Sequence, residues 1–121
     1  MVKKCICDLT ILLDDVIRDA TSVGFPVPDC LERKIYIDKQ QYDRVGACYR
    51  YPYPERYEIH LSEDTLRAKE YEIKNILAHE VLHASFFTIE HNMIWKMYCD
   101  LMKAKHGYNI QIKYSWHKII K

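Results

Sequence analysis

The residues with the clearest capacity for chemistry lie in one short segment, His79-Glu80-Val81-Leu82-His83, which has the pattern HExxH. Two histidines four positions apart lie one turn apart on the same face of a helix, so both imidazoles can reach one metal ion. The glutamate next to the first histidine can reach a water on that ion and accept its proton. The pattern predicts a zinc site with His79 and His83 as ligands and Glu80 as the general base. The competing interpretation is a pair of core histidines bonded to the backbone, beside a glutamate held in an ion pair.

A catalytic zinc site needs a third protein ligand and keeps a fourth position for water. His91 lies eight residues after His83, where the helical pattern breaks and restarts, so a turn could bring it back to the metal. We favour His91 as the third ligand. Glu90 and Asp100 are the alternatives, because a carboxylate from the following helix can also bind zinc. The other histidines are predicted to be surface or structural residues: His60, His106 and His117.

The first half of the chain predicts one helix followed by strands. Apolar residues spaced three and four apart predict a helix over residues 8–22. Runs with strand character, the last of them alternating, predict strands at 33–38, 44–51 and 57–61. A turn is expected at 52–55, because Pro52 and Pro54 lack the backbone donor that a central strand needs.

The second half predicts helices around the HExxH segment. A helix over 69–88 is apolar around much of its circumference and should therefore be buried. A last helix is predicted over 92–105, with Asn92 as its N-cap and Gly107 as its stop. Residues 108–112 could add a short strand. A helix, then strands, then helices predict an α+β fold with a small, mostly antiparallel sheet.

The composition predicts a single domain over residues 1–121 and restricts its location. The five cysteines are scattered, Cys5 and Cys7 being the one close pair, and none forms a CxxC motif, so we expect reduced thiols rather than disulfides. No segment approaches the roughly 20 apolar residues of a membrane helix. Aspartates interrupt the apolar start, which therefore does not have the pattern of a signal peptide. A cytoplasmic protein without a membrane partner is predicted.

The C-terminal segment is basic although the formal net charge of the chain is only +1. No acidic residue follows Asp100, whereas lysines and aromatic residues alternate there. Such a tail could bind DNA by contacting phosphates and stacking on bases. The alternative is a solvated terminus whose aromatic residues close the core. The residues concerned are Lys103, Lys105, Lys113, Lys118, Lys121, Tyr108, Tyr114 and Trp116.

The segment HEVLHASFFTIEHNMIW resembles the SprT-like zinc metallopeptidases, in which HExxH is followed by a short insert, a third histidine and an aromatic residue. His79, Glu80 and His83 match the first part, His91 matches the third ligand and Trp95 the aromatic residue. Upstream, residues matching the family's Gly-Xaa-Cys hairpin and its I-x-L-S strand are Gly46, Cys48, Ile59, Leu61 and Ser62. The resemblance covers residues 31–112.

The resemblance implies a zincin-like α+β fold, a bound zinc ion and peptidase activity. In the better-studied relatives it also implies cleavage of proteins bound or crosslinked to DNA. Two features depart from the family pattern: Asn92 stands where many members have glycine, and no cysteine follows Cys99 to build the zinc ribbon that many members carry. DNA recruitment through a ribbon is therefore not expected here.

Together these observations predict a zinc-dependent metallopeptidase acting on a protein or peptide substrate. The strand at 57–61, or the hairpin before it, is expected to hold the substrate extended by backbone pairing. Tyr108 and Tyr114 are the candidates for stabilising the oxyanion. The rival hypotheses are a non-catalytic zinc domain that binds DNA or protein, and a peptidase with one dedicated target. Glu80 argues against the non-catalytic domain, because a purely structural zinc site has no use for that carboxylate.

Overall fold

The structure, a computed structural model, describes residues 6–39, 44–85, 88 and 90–113. Over these residues the fold is α+β, as predicted. The helices are α1 (Ile6–Ser22), α2 (Glu70–Val81) and α3 (Met93–His106), and a short 3-10 helix spans Glu63–Arg67. The strands are β1 (Leu31–Asp38), β2 (Gly46–Pro52) and β3 (Glu55–Ser62). No helix in the described part of the chain is long and apolar enough to cross a membrane.

The three strands form a mixed sheet in the order β1-β3-β2. β2 and β3 form an antiparallel hairpin in which Cys48 lies opposite Ile59. β1 pairs in parallel with the other edge of β3, with Ile35 opposite Ile59. The prediction of a mostly antiparallel sheet was therefore wrong. Alternation along a strand shows which side chains are buried but not in which direction a neighbour runs, so the parallel pairing of β1 had no signal in the sequence.

One face of the sheet packs against α1 and α2. The residues of α1 that are spaced three and four apart face this core, which confirms the helix predicted at 8–22. The core residues of α1 are Leu9, Leu12, Leu13, Val16, Ile17 and Ala20, and those of α2 and β3 include Ile73, Ile76, Leu77, Ile59 and Leu61. Because α2 is buried along most of its length, the HExxH segment has a rigid support.

α2 ends at Val81, well before the boundary predicted at residue 88. The backbone N–H groups of His83 and Ala84 donate to the carbonyls three residues earlier, so the chain tightens into a 3-10 turn. Ala84 and Thr88 are nevertheless buried. The apolar pattern thus continued past the helix because described residues after it, Ala84 and Thr88, are also buried.

α3 closely matches its prediction. The Asn92 side chain accepts a hydrogen bond from the Trp95 backbone N–H at 2.9 Å, the expected N-cap geometry. Gly107 follows the helix with a φ of 76°, and its N–H donates to the Lys103 carbonyl. This left-handed conformation suits glycine and ends the helix.

The strand predicted at 108–112 does not form, and this prediction was wrong. The segment instead crosses α2, where the Asn109 N–H donates to the Asn75 side chain at 3.0 Å. Two of its backbone polar groups, the Asn109 N–H and the Gln111 carbonyl, are partnered by side chains of α2 rather than by a neighbouring strand. The described cysteine side chains, Cys30, Cys48 and Cys99, are free thiols; the Cys5–Cys7 pair lies outside the described side chains.

Candidate metal centre

The three predicted metal ligands lie together. His79 is in the last turn of α2, His83 is in the 3-10 turn that follows, and His91 directly precedes the N-cap of α3. One nitrogen from each ring lies within 4.8 Å of the others, and the Nε2 atoms of His79 and His91 are 3.1 Å apart. The alternative ligands, Glu90 and Asp100, are exposed and do not belong to this group.

Backbone carbonyls orient two of the three rings. The Nδ1–H of His79 donates to the Gln111 carbonyl at 2.6 Å, and the Nδ1–H of His83 donates to the Thr88 carbonyl at 2.7 Å. Since a carbonyl only accepts, Nδ1 must carry the proton in both rings, which leaves a lone pair on Nε2. A second hydrogen bond of this type is typical of metal-binding histidines. Two imidazoles presented in this way, with the His91 ring beside them, fit zinc, which binds His nitrogen in open tetrahedral sites.

The protonation states agree with a ligand role. Burial is the main cause that lowers the pKa of His79, to about 3, and the nearby charges of His83 and His91 act in the same direction. Burial also lowers the pKa of His83 and of His91. The rings are therefore neutral at pH 7, the form that a metal requires.

Glu80 lies beside this centre with its carboxyl group buried. Its Oε2 atom is 4.0 Å from Nε2 of His79. Burial raises the pKa of Glu80 to about 8, while the positive charge of Arg44 acts in the opposite direction. In the metal-free protein the carboxyl is thus mostly protonated at neutral pH. A dication held by the histidines would favour the carboxylate, the form that can accept a proton.

Trp95 packs against all three histidine rings. Its indole stacks on His83, with the planes inclined by 13° and the centroids 5.2 Å apart. The centroids of His79 and His91 lie 4.9 and 4.6 Å from that of Trp95. The indole Nε1–H also donates to the His79 carbonyl at 3.4 Å. Because Trp95 is only 1% exposed, it forms a fixed surface behind the ligands.

The centre opens into a cleft with a volume of about 350 Å³. Besides the three histidines and Glu80, the cleft is lined by Arg44, Val45, Gly46, Ile112 and Lys113. The first three of these lead into β2. Sequence reasoning did not identify Arg44, and it did not identify the carbonyls of Thr88 and Gln111, since a backbone acceptor has no signature in residue type.

The expectation that the strand at 57–61 presents a free edge was wrong. This strand is β3, which is paired on both sides. β2, the other half of the hairpin, has an edge beside the cleft. The Ser62 N–H donates to the Val45 carbonyl, so the antiparallel alternation turns the backbone groups of Gly46 and Cys48 away from β3.

The remaining predicted residues lie away from the centre. His60 lies on the open face of the sheet, 2.9 Å from an Asp38 carboxylate oxygen and 3.0 Å from a Glu58 oxygen. His106 hydrogen bonds with the Ser22 hydroxyl at 2.7 Å. Both are structural, as predicted.

Of the two oxyanion candidates, the structure describes only Tyr108. Tyr108 is buried and donates to an Asp19 carboxylate oxygen at 2.7 Å, and it does not line the cleft, so this assignment was wrong. Tyr114 lies outside the described residues, as do His117, Trp116, Lys118 and Lys121.

The sequence that forms this fold and this three-histidine centre matches a known protein family. The model of the SprT-like family matches residues 19–114, which is most of the chain. The chain therefore belongs to the SprT-like family. Searches of the curated proteins and of the solved structures each returned no match.

Proposed function

We propose that this protein is a zinc-dependent metallopeptidase of zincin-like architecture in which Glu80 is the general base. The observation that carries the proposal is the convergence of three neutral imidazoles beside a buried carboxyl group in an open cleft. Membership of the SprT-like family supports it. A cytoplasmic location, and DNA contact through the basic C-terminal segment, extend the same proposal.

Each residue of the site would have a separate role in the reaction. His79, His83 and His91 would hold the zinc ion. When bound, zinc supplies a Lewis acid that polarises a carbonyl and lowers the pKa of a water ligand. Glu80 would accept a proton on its carboxylate and later deliver it to the leaving amine. Its buried position favours this exchange, because a pKa raised towards neutral lets the carboxyl group both accept and release a proton near the operating pH.

The substrate would lie along the edge of β2 that no other strand of the described residues pairs with. The outward backbone groups of Gly46 and Cys48 can pair with an extended peptide, as in other cases of strand addition. Gly46 has no side chain, and a Cβ atom built there would lie 3.1 Å from the His60 carbonyl and 3.2 Å from Ile76. Glycine thus lets β2 approach α2 closely, which keeps this edge near the metal centre.

The main alternative is a non-catalytic zinc domain. In such a domain the buried carboxyl group of Glu80 would lower the stability of the fold and take part in no reaction, because burying a carboxyl group is unfavourable unless it is compensated. Its Oε2 atom lies 4.0 Å from Nε2 of His79, beside the centre where a zinc-bound water would lie. We therefore favour the enzyme.

The decisive experiment uses Glu80→Gln, which preserves the size of the side chain and removes its ability to accept a proton. We expect this variant to bind one zinc ion per chain as wild type does. Hydrolysis of an unfolded protein substrate should fall by about 100-fold or more, the usual contribution of a general base. Equal rates in two fully zinc-loaded proteins would contradict the proposal.

Metal analysis of His91→Ala tests the ligand set in the same experiment. Its zinc affinity should fall by more than the roughly 10- to 100-fold that loss of a supporting hydrogen bond costs. Glu90→Ala and Asp100→Ala are the matched controls and should retain wild-type affinity. If either of these loses zinc while His91→Ala does not, a carboxylate is the third ligand.

A further inference from the structure

Positively charged side chains outnumber negatively charged ones among the described residues that line the cleft. Arg44 and Lys113 bring two positive charges from separate segments of the chain, and both residues are exposed. Among the described lining residues, Glu80 is the only acidic one, and it is buried. With a dication on the histidines, the cleft would have a large excess of positive charge.

Arg44 is held at the β2 side of the cleft. Its Nη1 donates to the Tyr49 hydroxyl at 3.1 Å, which ties the guanidinium to the strand whose edge would receive the substrate. Its charge is close enough to influence the Glu80 carboxyl. A peptide lying on this edge would therefore place its side chains within reach of a fixed cation.

Lys113 approaches from the C-terminal segment. It follows Gln111 by two residues, and the Gln111 carbonyl accepts the hydrogen bond from His79. The backbone of this segment is thus anchored to the metal centre itself. The lysine ammonium, on a flexible stem, can move to meet a ligand in the cleft.

From this arrangement we infer that Arg44 and Lys113 form a cationic pair that selects substrates with a carboxylate next to the scissile peptide bond. The inference rests on the proposed peptidase function and specifies its substrate class. The carboxylate could belong to an aspartate or glutamate side chain, or to the C-terminus of the peptide. Attraction in a partly desolvated cleft is stronger than in bulk water, and a basic residue at the same position is repelled.

Quenched fluorescent peptides that differ only beside the scissile bond test this inference. One set carries Asp, the isosteric Asn or Lys there, and a second compares a free C-terminal acid with its amide. For wild type we expect kcat/KM to be about tenfold higher for the acid than for its neutral partner, and lowest for Lys. In the double variant Arg44→Gln/Lys113→Gln the ratio should fall to about 1.

Two controls separate charge selection from structural damage. Arg44→Lys keeps the charge and should retain the preference. Lys103→Gln removes the same charge from the exposed surface of α3, outside the cleft, and should leave the preference unchanged. All variants should contain one zinc ion per chain. A preference that survives in the double variant would overturn the inference.

Binding provides a readout that does not depend on turnover. Zinc-loaded Glu80→Gln should bind the Asp peptide or the C-terminal acid more tightly than the neutral partner, and the added Arg44→Gln/Lys113→Gln change should abolish the difference. A preference that follows the C-terminus identifies the terminal carboxylate as the ligand, and one that follows Asp identifies the side chain. Equal affinities in both sets would refute the cationic pair. Failure to hydrolyse any peptide would instead count against the peptidase function and leave this binding test intact.

Discussion

At the scale of single residues, the candidate metal centre depends on groups other than the three histidines. The carbonyls of Gln111 and Thr88 fix the proton on Nδ1 of His79 and His83, so that Nε2 is the free nitrogen. Trp95 contacts the three rings from behind. The rings are thereby oriented without an ion, so binding an ion would cost less side-chain conformational entropy.

Replacing Trp95 with leucine should weaken zinc binding by about 10- to 100-fold, the usual effect of losing support for the ligands. Leucine is too small to contact three imidazole rings at once. Trp95→Phe keeps an aromatic face and should lose less. Titration against a chelator of known affinity measures the change. Met102→Ala, which also alters a buried residue of α3, is the control for lost packing. An affinity in Trp95→Leu no lower than in that control would rule out this role.

At the scale of elements, the connection between α2 and α3 determines where His83 and His91 lie. α2 ends in a 3-10 turn that carries His83, and α3 starts at an N-cap that directly follows His91. The two helix ends therefore present two of the three candidate ligands. The third candidate, His79, lies within the regular part of α2.

Asn92→Ala should lower the free energy of unfolding by about 1 kcal/mol, because the Trp95 N–H would lose its side-chain acceptor. Urea denaturation of the zinc-loaded protein measures the loss. Because the cap adjoins His91 and orients Trp95, zinc affinity should decrease as well. Asn92→Ser retains a capping oxygen and should behave nearly as wild type. If Asn92→Ala and Asn92→Ser have the same stability, the cap contributes nothing.

Features that depend on residues close in the sequence could be predicted. Features that depend on contacts between distant residues could not. The spacing of His79 and His83, the Asn92 cap and the Gly107 stop depend on residues near in sequence, and all were recognised. The parallel pairing of β1 and the position of β3 at the centre of the sheet depend on distant partners. Tyr108 was misassigned for the same reason, since its partner Asp19 lies at the other end of the chain.

At the scale of the whole molecule, two buried groups give the metal-free protein opposite responses to pH. His79 has a pKa of about 3 in the folded state against an ordinary histidine pKa of 6.5, so stability is lost as the pH falls from about 6.5 towards 3. Glu80 has a pKa of about 8 against 4.5, so the folded state holds the extra proton between these values. For this group stability is lost as the pH rises from about 4.5 to 8.

Removing zinc should therefore expose a pH dependence that a single substitution cancels. In the presence of a chelator, the free energy of unfolding of wild type should fall between pH 5 and pH 8 relative to Glu80→Gln, which has no proton to lose there. Urea denaturation at pH 5, 6.5 and 8 measures both proteins. Zinc should reduce the difference, because the ion stabilises the carboxylate of Glu80. Parallel profiles for the two metal-free proteins would show that Glu80 does not titrate as described.

The short connection between His83 and His91 has a further consequence for chain entropy. An ion bound by both residues would join the end of α2 to the start of α3 and close the loop between them. The entropic cost of closing a loop rises only slowly with the length of the loop. The ion would then act as a reversible crosslink between two helices, holding their relative position much as a covalent bridge would while remaining exchangeable.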